Sequence, residues 1–257
     1  MSTDEDIQYR EIYATWTLPQ TLTAAGVVCV LYLLTVVKFL PNYMKDKKPY
    51  SLKTVILLYN VVQVVLSAYN FYLFVVHTFQ YGVFPSKCWN DMNQPMVNSI
   101  LEPIMWYFIA KHLDLLDTIF FVLRKKFNQV TFLHVYHHFI MVAWGWIYYT
   151  YFPTDIYVFL AMLNCFVHVI MYTYYALASL GPKYAKYIWW KKYLTTLQLT
   201  QFLLIILYLL YHNKTSPCPT SRLLHWYGVS SIAVFFVLFI NFYIRSYFRK
   251  KIAKDNK

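Results

Sequence analysis

Seven long apolar stretches, parted by short polar connections, account for most of this chain. They run over roughly 21–40, 53–77, 100–123, 129–149, 155–178, 189–211 and 226–246. A helix of about 20 mostly apolar residues is what crosses the hydrocarbon core of a bilayer. The spacing therefore predicts an all-α membrane protein with seven transmembrane helices in a single domain, 1–257. No internal repeat, linker or low-complexity tract interrupts it. The first apolar run begins near Thr21, after Asp4, Glu5 and Asp6, so insertion is expected to use the first span and not a cleavable signal with a basic n-region.

Composition agrees with this reading. Residues are 59% hydrophobic and only 13% charged, about half the charge of a soluble domain. The 26 Tyr, 20 Phe and 8 Trp suit helix ends anchored at two interfaces. The net charge of +12 does not point to nucleic acid, because the basic residues sit between apolar segments and not on one face. Their distribution sets an orientation. Lys45, Lys47 and Lys48 follow the first span, Arg124, Lys125 and Lys126 the third, and Lys183, Lys186, Lys191 and Lys192 the fifth. Arg249, Lys250, Lys251, Lys254 and Lys257 follow the seventh. The alternate loops carry only Lys87, Lys214 and Arg222, with Arg10 before the first span. The expectation is a C-terminus in the cytosol and an N-terminus in the lumen. Cys88 and Cys218 then share the oxidising side, where a disulfide between them is expected. Asn213-Lys214-Thr215 is a glycosylation sequon on that side, close enough to the sixth span to be expected unmodified.

Ionisable residues inside a span are costly and mark function by default. The third span carries Lys111, Asp114 and Asp117 in KHLDLLDT, at steps of three that share a helix face. A mutually neutralised structural ion cluster is the plainer alternative. The fourth span carries His134, His137 and His138 in HVYHH, with His134 beside both others. Three histidines within five positions at membrane depth are hard to explain as core residues. The fifth span has Asn164 and His168 one turn apart, with Tyr172 and Tyr175 continuing that face. The sixth has Thr195, Gln198 and Gln201 at steps of three, which would equally serve as interhelical hydrogen bonds. At ~1.5 Å per residue, Asp117 lies ~10 Å in from Arg124, His134 and His138 lie ~12 and ~18 Å in from Lys126, and His168 ~20 Å in from Gly181. Gln198 and Gln201 lie ~10–14 Å in from Lys191. Four spans thus place polar groups in the cytosolic half and near the midplane, as one cavity open to the cytosol would require; such a site suits an acyl-CoA.

The motifs KHLDLLDTIFFVLRKK, HVYHH, NCFVHVIMYTYY and TTLQLTQF, in this order across roughly residues 100–205, resemble the very-long-chain fatty-acid elongase family. These are 3-ketoacyl-CoA synthases of the endoplasmic reticulum. The resemblance implies a helix bundle around a substrate tunnel closed on the lumenal side. It also implies condensation of a long-chain acyl-CoA with malonyl-CoA, with release of CO2 and CoA and no cofactor or metal. The family's histidine box matches His134, His137 and His138, and its following histidine matches His168. The resemblance implies a histidine acyl acceptor, here taken as His137. Imidazole attacks thioesters, and the acyl-imidazole is activated enough to accept a carbanion. His138 or His134 would orient His137 or shuttle its proton. His168 and Asn164 would hold the malonyl thioester and its enolate, Asp117 would fix a tautomer, and Lys111, Arg124, Lys125 and Lys126 would attract CoA phosphates. The expected partners are the bilayer and the other enzymes of the elongation cycle. The chain departs from the family in carrying Asp114 where Glu is usual, and in having Asp255 after Lys254 where a dilysine retrieval signal is common.

Three rival readings compete. A di-iron desaturase or hydroxylase also clusters histidines, but needs several boxes, and His77, His112, His212 and His225 are scattered. Cys165, three residues before His168, would be a rival nucleophile, disfavoured because an apolar site raises a thiol's pKa. A channel or proton-coupled transporter uses the same residue types, but no broken helix or repeated half is visible.

Overall fold

The computed structural model describes residues 18–84, 87–88, 91–151, 156–216 and 222–248. Among these every regular element is helical: α1 Leu18–Leu34, a π turn Thr35–Phe39, α2 Leu40–Met44, α3 Lys53–Tyr81, α4 Gln94–Leu113, α5 Leu115–Leu123, α6 Phe132–Tyr151, α7 Ile156–Ser179, α8 Lys191–Thr215 and α9 Arg222–Tyr243. Short 3₁₀ turns at Phe127–Gln129 and Pro182–Tyr187 sit in the connections, and a second π turn, Ile244–Phe248, follows α9. Among the described residues, five helical runs are long and apolar enough to cross a membrane: Pro19–Met44, Lys53–Tyr81, Ile156–Ser179, Lys191–Thr215 and His225–Tyr247. The expected third and fourth spans are not among them. The stretch expected to be continuous over 100–123 is interrupted at Asp114, which separates α4 from α5. Within this stretch fall Lys111, His112, Asp114 and Asp117, and α6 carries three histidines in its first two turns, which lowers the mean hydropathy of both. The expected loop residue Cys218 lies outside the described residues, as do the acidic N-terminus and the basic tail beyond 248.

The chain forms two compact units, residues 1–52 with 92–154 and residues 53–91 with 155–257. In the first, α1 packs on α6, and α4 packs on both α5 and α6. The π turn ending the first span has a local cause. Pro41 has no N–H and its ring would press on the carbonyl four residues back, Val37. One residue earlier the ladder has already stepped out, with the Leu40 N–H donating to the Thr35 carbonyl. The apolar run therefore continues through α2 without a break. Helix α4 starts under an Asn93 cap, whose side chain accepts from the Met96 N–H at 3.2 Å, with Pro95 in the first turn. At Asp114 the ladder tightens, and the Asp117 N–H donates to the Asp114 carbonyl, a three-residue step, at 3.2 Å. Such a turn brings side chains three apart into line, which stacks Asp117 over Asp114.

Helix α5 ends in a Schellman closure: Lys126 N–H donates to Phe121 O at 2.8 Å and Lys125 N–H to Val122 O at 2.9 Å. The left-handed residue that this closure needs, usually glycine, is Lys125 at φ 54°. Its side chain gives the reason, since Lys125 Nζ donates to the Lys45 carbonyl at 3.0 Å. Tyr50 N–H also donates to Leu123 O at 3.1 Å. The first and third basic loops are thereby tied together.

In the second unit α3 packs on α7, α7 on α8, and α8 on α9. Helix α3 is built inside out. Asn60, Gln63, Ser67, Asn70, Phe74 and His77, at steps of three and four, are buried, while Val55, Leu58, Val61, Val62, Val65, Tyr69 and Tyr72 are exposed. In a bilayer this is the stable arrangement: lipid covers the apolar face and protein covers the polar one. Toward the other end, Ile156, Ile205, Tyr208 and Leu209 form an apolar core with Val229 and Ile232 of α9 packed against it.

Candidate active site

The histidine box opens α6. Thr131 caps the helix, its Oγ1 accepting from the His134 N–H at 3.3 Å and its carbonyl from the Val135 N–H at 3.0 Å. The helical repeat then stacks the His134 ring on His138, centroids 4.3 Å apart at 59°, and sets His137 edge-on to His138 at 5.4 Å and 89°. His138 is buried at 7% exposure, while His134 and His137 are half-buried. Phe121 of α5 packs on His134 at 5.1 Å. Thr118, completely buried, reaches His134 Nε2 with its Oγ1 at 2.9 Å. The same oxygen meets the Tyr32 hydroxyl of α1 at 2.8 Å. The box is thus held by three helices of its own unit.

One turn before Thr118, Lys111 Nζ meets Asp114 Oδ2 at 2.8 Å with both side chains 4% exposed. The Tyr107 ring lies 4.9 Å from the same ammonium. This is a neutralised buried pair, and it commits the Lys111 charge to Asp114. Asp117 is buried on the next turn. Of the basic run, Lys126 is exposed, and Arg124 and Lys125 are half-buried, with Lys125 engaged at Lys45.

His112, left among the scattered histidines by the sequence, has a structural post. The Trp146 Nε1–H of α6 donates to its Nε2 at 3.1 Å, so the proton is on Nδ1, which donates to the Phe108 carbonyl at 2.8 Å. A Cβ at Gly145 would meet the Phe108 ring at 3.4 Å, an ordinary van der Waals contact.

In the second unit His168 is oriented by its own helix. Its Nδ1 lies 2.8 Å from the Asn164 carbonyl, an acceptor only, so Nδ1 carries the proton and the neutral ring keeps its lone pair on Nε2. Asn164 contributes its backbone oxygen to this pair, and its side chain is buried. Cys165, buried, is one of two free cysteines among the described residues. Tyr172 is buried, and its hydroxyl meets Gln63 Nε2 at 3.4 Å and the Tyr59 hydroxyl at 3.5 Å. Tyr175, expected on the same face, is exposed. Gln198 Nε2 reaches Met171 Sδ at 3.7 Å, Gln201 is buried, and Thr195 pairs with the Tyr247 hydroxyl at 3.5 Å. Among the described residues no three His, Cys, Asp or Glu side chains group as metal ligands.

These features define a class: a multi-pass helical membrane protein whose polar side chains, histidines foremost, are buried within its helices. A family model described as the GNS1/SUR4 family matches residues 17–255. Over 244 residues, 94% of this chain and 77% of the relative, the chain is 39% identical to very long chain fatty acid elongase 4 of Macaca mulatta. It is 38% identical to very long chain fatty acid elongase 2 of Mus musculus over 93% of this chain and 81% of the relative. With very long chain fatty acid elongase 7 of Drosophila melanogaster it shares 37% identity over 93% and 70%. The chain belongs to this ELO family of very long chain fatty acid elongases.

Proposed function

We propose that this protein catalyses the condensing step of fatty-acid elongation: a long-chain acyl-CoA and malonyl-CoA give 3-ketoacyl-CoA, CO2 and CoA. The observation that carries the reading is the histidine box, three imidazoles on one helix turn held by hydrogen-bonded neighbours in a chain of the elongase family. In the first half-reaction a ring nitrogen of His137 attacks the thioester carbonyl. The C–S bond breaks, and CoA leaves as the thiol with the imidazole proton, which His138 relays. In the second, malonyl-CoA loses CO2, and the electron pair left on its α-carbon attacks the acyl-imidazole carbonyl. The C–N bond breaks, and the returning imidazole takes up one proton. Holding each substrate in turn supplies the orientation that an open solution lacks.

The unprotonated Nε2 of His168 suits a group that accepts a hydrogen bond or proton near the malonyl unit. Asp117 supports the box from the neighbouring helix. Arg124, Lys125 and Lys126 attract the CoA phosphates. Membership of the elongase family supports residence in the endoplasmic reticulum, and the positive-inside distribution supports a cytosolic C-terminus and Cys88 pairing with Cys218 in the lumen. The remaining enzymes of the cycle act on the product in the same membrane.

Intact-protein mass tests the mechanism. Purified protein mixed with a long-chain acyl-CoA and no malonyl-CoA gains one acyl mass, and His137→Ala does not. Activity with both substrates but no adduct in any condition rejects the covalent route and leaves His137 as a base in direct condensation.

A further inference from the structure

Thr118 makes two hydrogen bonds among the described residues, to Tyr32 and to His134, and has one hydroxyl proton to share between them. If both neighbours donated to Thr118, its own proton would have no acceptor among the described residues, which leaves two arrangements. In one, His134 donates from Nε2 to Thr118, which donates to Tyr32. The Tyr32 proton then needs another acceptor, and around this residue, 6% exposed, the described residues supply no other. In the other, Tyr32 donates to Thr118 and Thr118 donates to His134 Nε2. The Tyr32 and Thr118 protons then both have acceptors, and the proton left over is the Nδ1–H of His134, on a half-buried ring and not on the buried tyrosine. The second direction fixes His134 as the Nδ1–H tautomer. It also takes up the Nε2 lone pair, so that His134 serves as a donor and not as the nucleophile.

We propose that Tyr32 and Thr118 are positioning residues of the histidine box: the relay from Tyr32 through Thr118 to His134 Nε2 sets the His134 tautomer and holds its ring on His138. The role in catalysis rests on the condensing-enzyme reading above; the tautomer does not. Both residues are buried and act through the His134 ring, so the relay acts on kcat more than on KM. Second-layer groups that fix histidine rings are worth about 10–100-fold. Thr118→Val, which keeps the shape and removes the hydroxyl, is expected to lower kcat about 10–100-fold with KM within about twofold. Thr118→Ser, which restores the hydroxyl, returns kcat to within about threefold of the parent. Tyr32→Phe lowers kcat about 3–10-fold alone and adds almost nothing on top of Thr118→Val, because it acts through the threonine.

Two-bond ¹H–¹⁵N correlation on histidine-labelled protein in detergent reads the tautomer without turnover. The expected result is Nδ1–H at His134 in the parent and in Thr118→Ser, lost or mixed in Thr118→Val. Nε2–H at His134 in the parent overturns the direction of the relay. Parent-like kcat in Thr118→Val, or losses that multiply in the double variant, overturn the positioning role. A parent with the expected tautomer but no condensing activity would reject the condensing-enzyme reading and leave the relay standing.

Discussion

His134 in the first unit and His168 in the second are oriented in opposite ways. In the first, His134 depends on a threonine from α5 and, behind it, a tyrosine from α1, both remote in sequence. In the second, His168 is oriented by the carbonyl one turn behind it, which its own helix supplies whatever side chain stands at 164. A histidine held locally tolerates change around it. One held by tertiary contacts is set by the packing of its whole unit. The box should therefore be the fragile half of the protein and His168 the robust half.

The largest effect should come from the box. His137→Ala is expected to lower kcat by about 10³–10⁴, as loss of a covalent nucleophile does, measured as CO2 release from labelled malonyl-CoA. Next is the support beneath it. Lys111→Met strands the Asp114 charge in a buried setting and should cost about 3–5 kcal/mol, read as a fall in thermal midpoint in detergent. Adding Asp114→Leu should recover much of that loss, since an apolar pair replaces the ionic one. In the second unit Asn164→Ala should leave the His168 tautomer untouched in a ¹H–¹⁵N spectrum, with kcat reduced less than about tenfold. A changed tautomer would erase the contrast between the two units. The smallest effect is expected at Lys125→Gly. Relief of a left-handed lysine, about 1 kcal/mol, is offset by the lost bond to Lys45, so the thermal midpoint should stay within a degree or two.

Much of this was legible in the chain. Five of the seven apolar runs read as spans, the histidine cluster and the Lys111–Asp114–Asp117 spacing came from the pattern of apolar and polar residues, because membrane helices expose their chemistry as exceptions to apolarity. The interruption at Asp114 was not legible, since no glycine or proline marks it and the tighter turn is a matter of backbone hydrogen bonding. Thr118 and Tyr32 carry no signal either: a hydroxyl next to an aspartate is common, and one tyrosine is lost among 26. The buried stripe of α3 was a missed signal. Asn60, Gln63, Ser67, Asn70 and His77 repeat at helical spacing, and a moment measured on polar residues in place of apolar ones would have found them.

That stripe also constrains how the protein is made. Its cover, α7, begins at Ile156, some 75 residues after α3 ends at Tyr81. At ribosomal speeds of about 5–20 residues per second, α3 waits roughly 4–15 seconds in the membrane with its amides and histidine uncovered. During that interval the half-made chain needs a protein neighbour, an insertion channel or membrane chaperone, to shelter a face that lipid cannot satisfy.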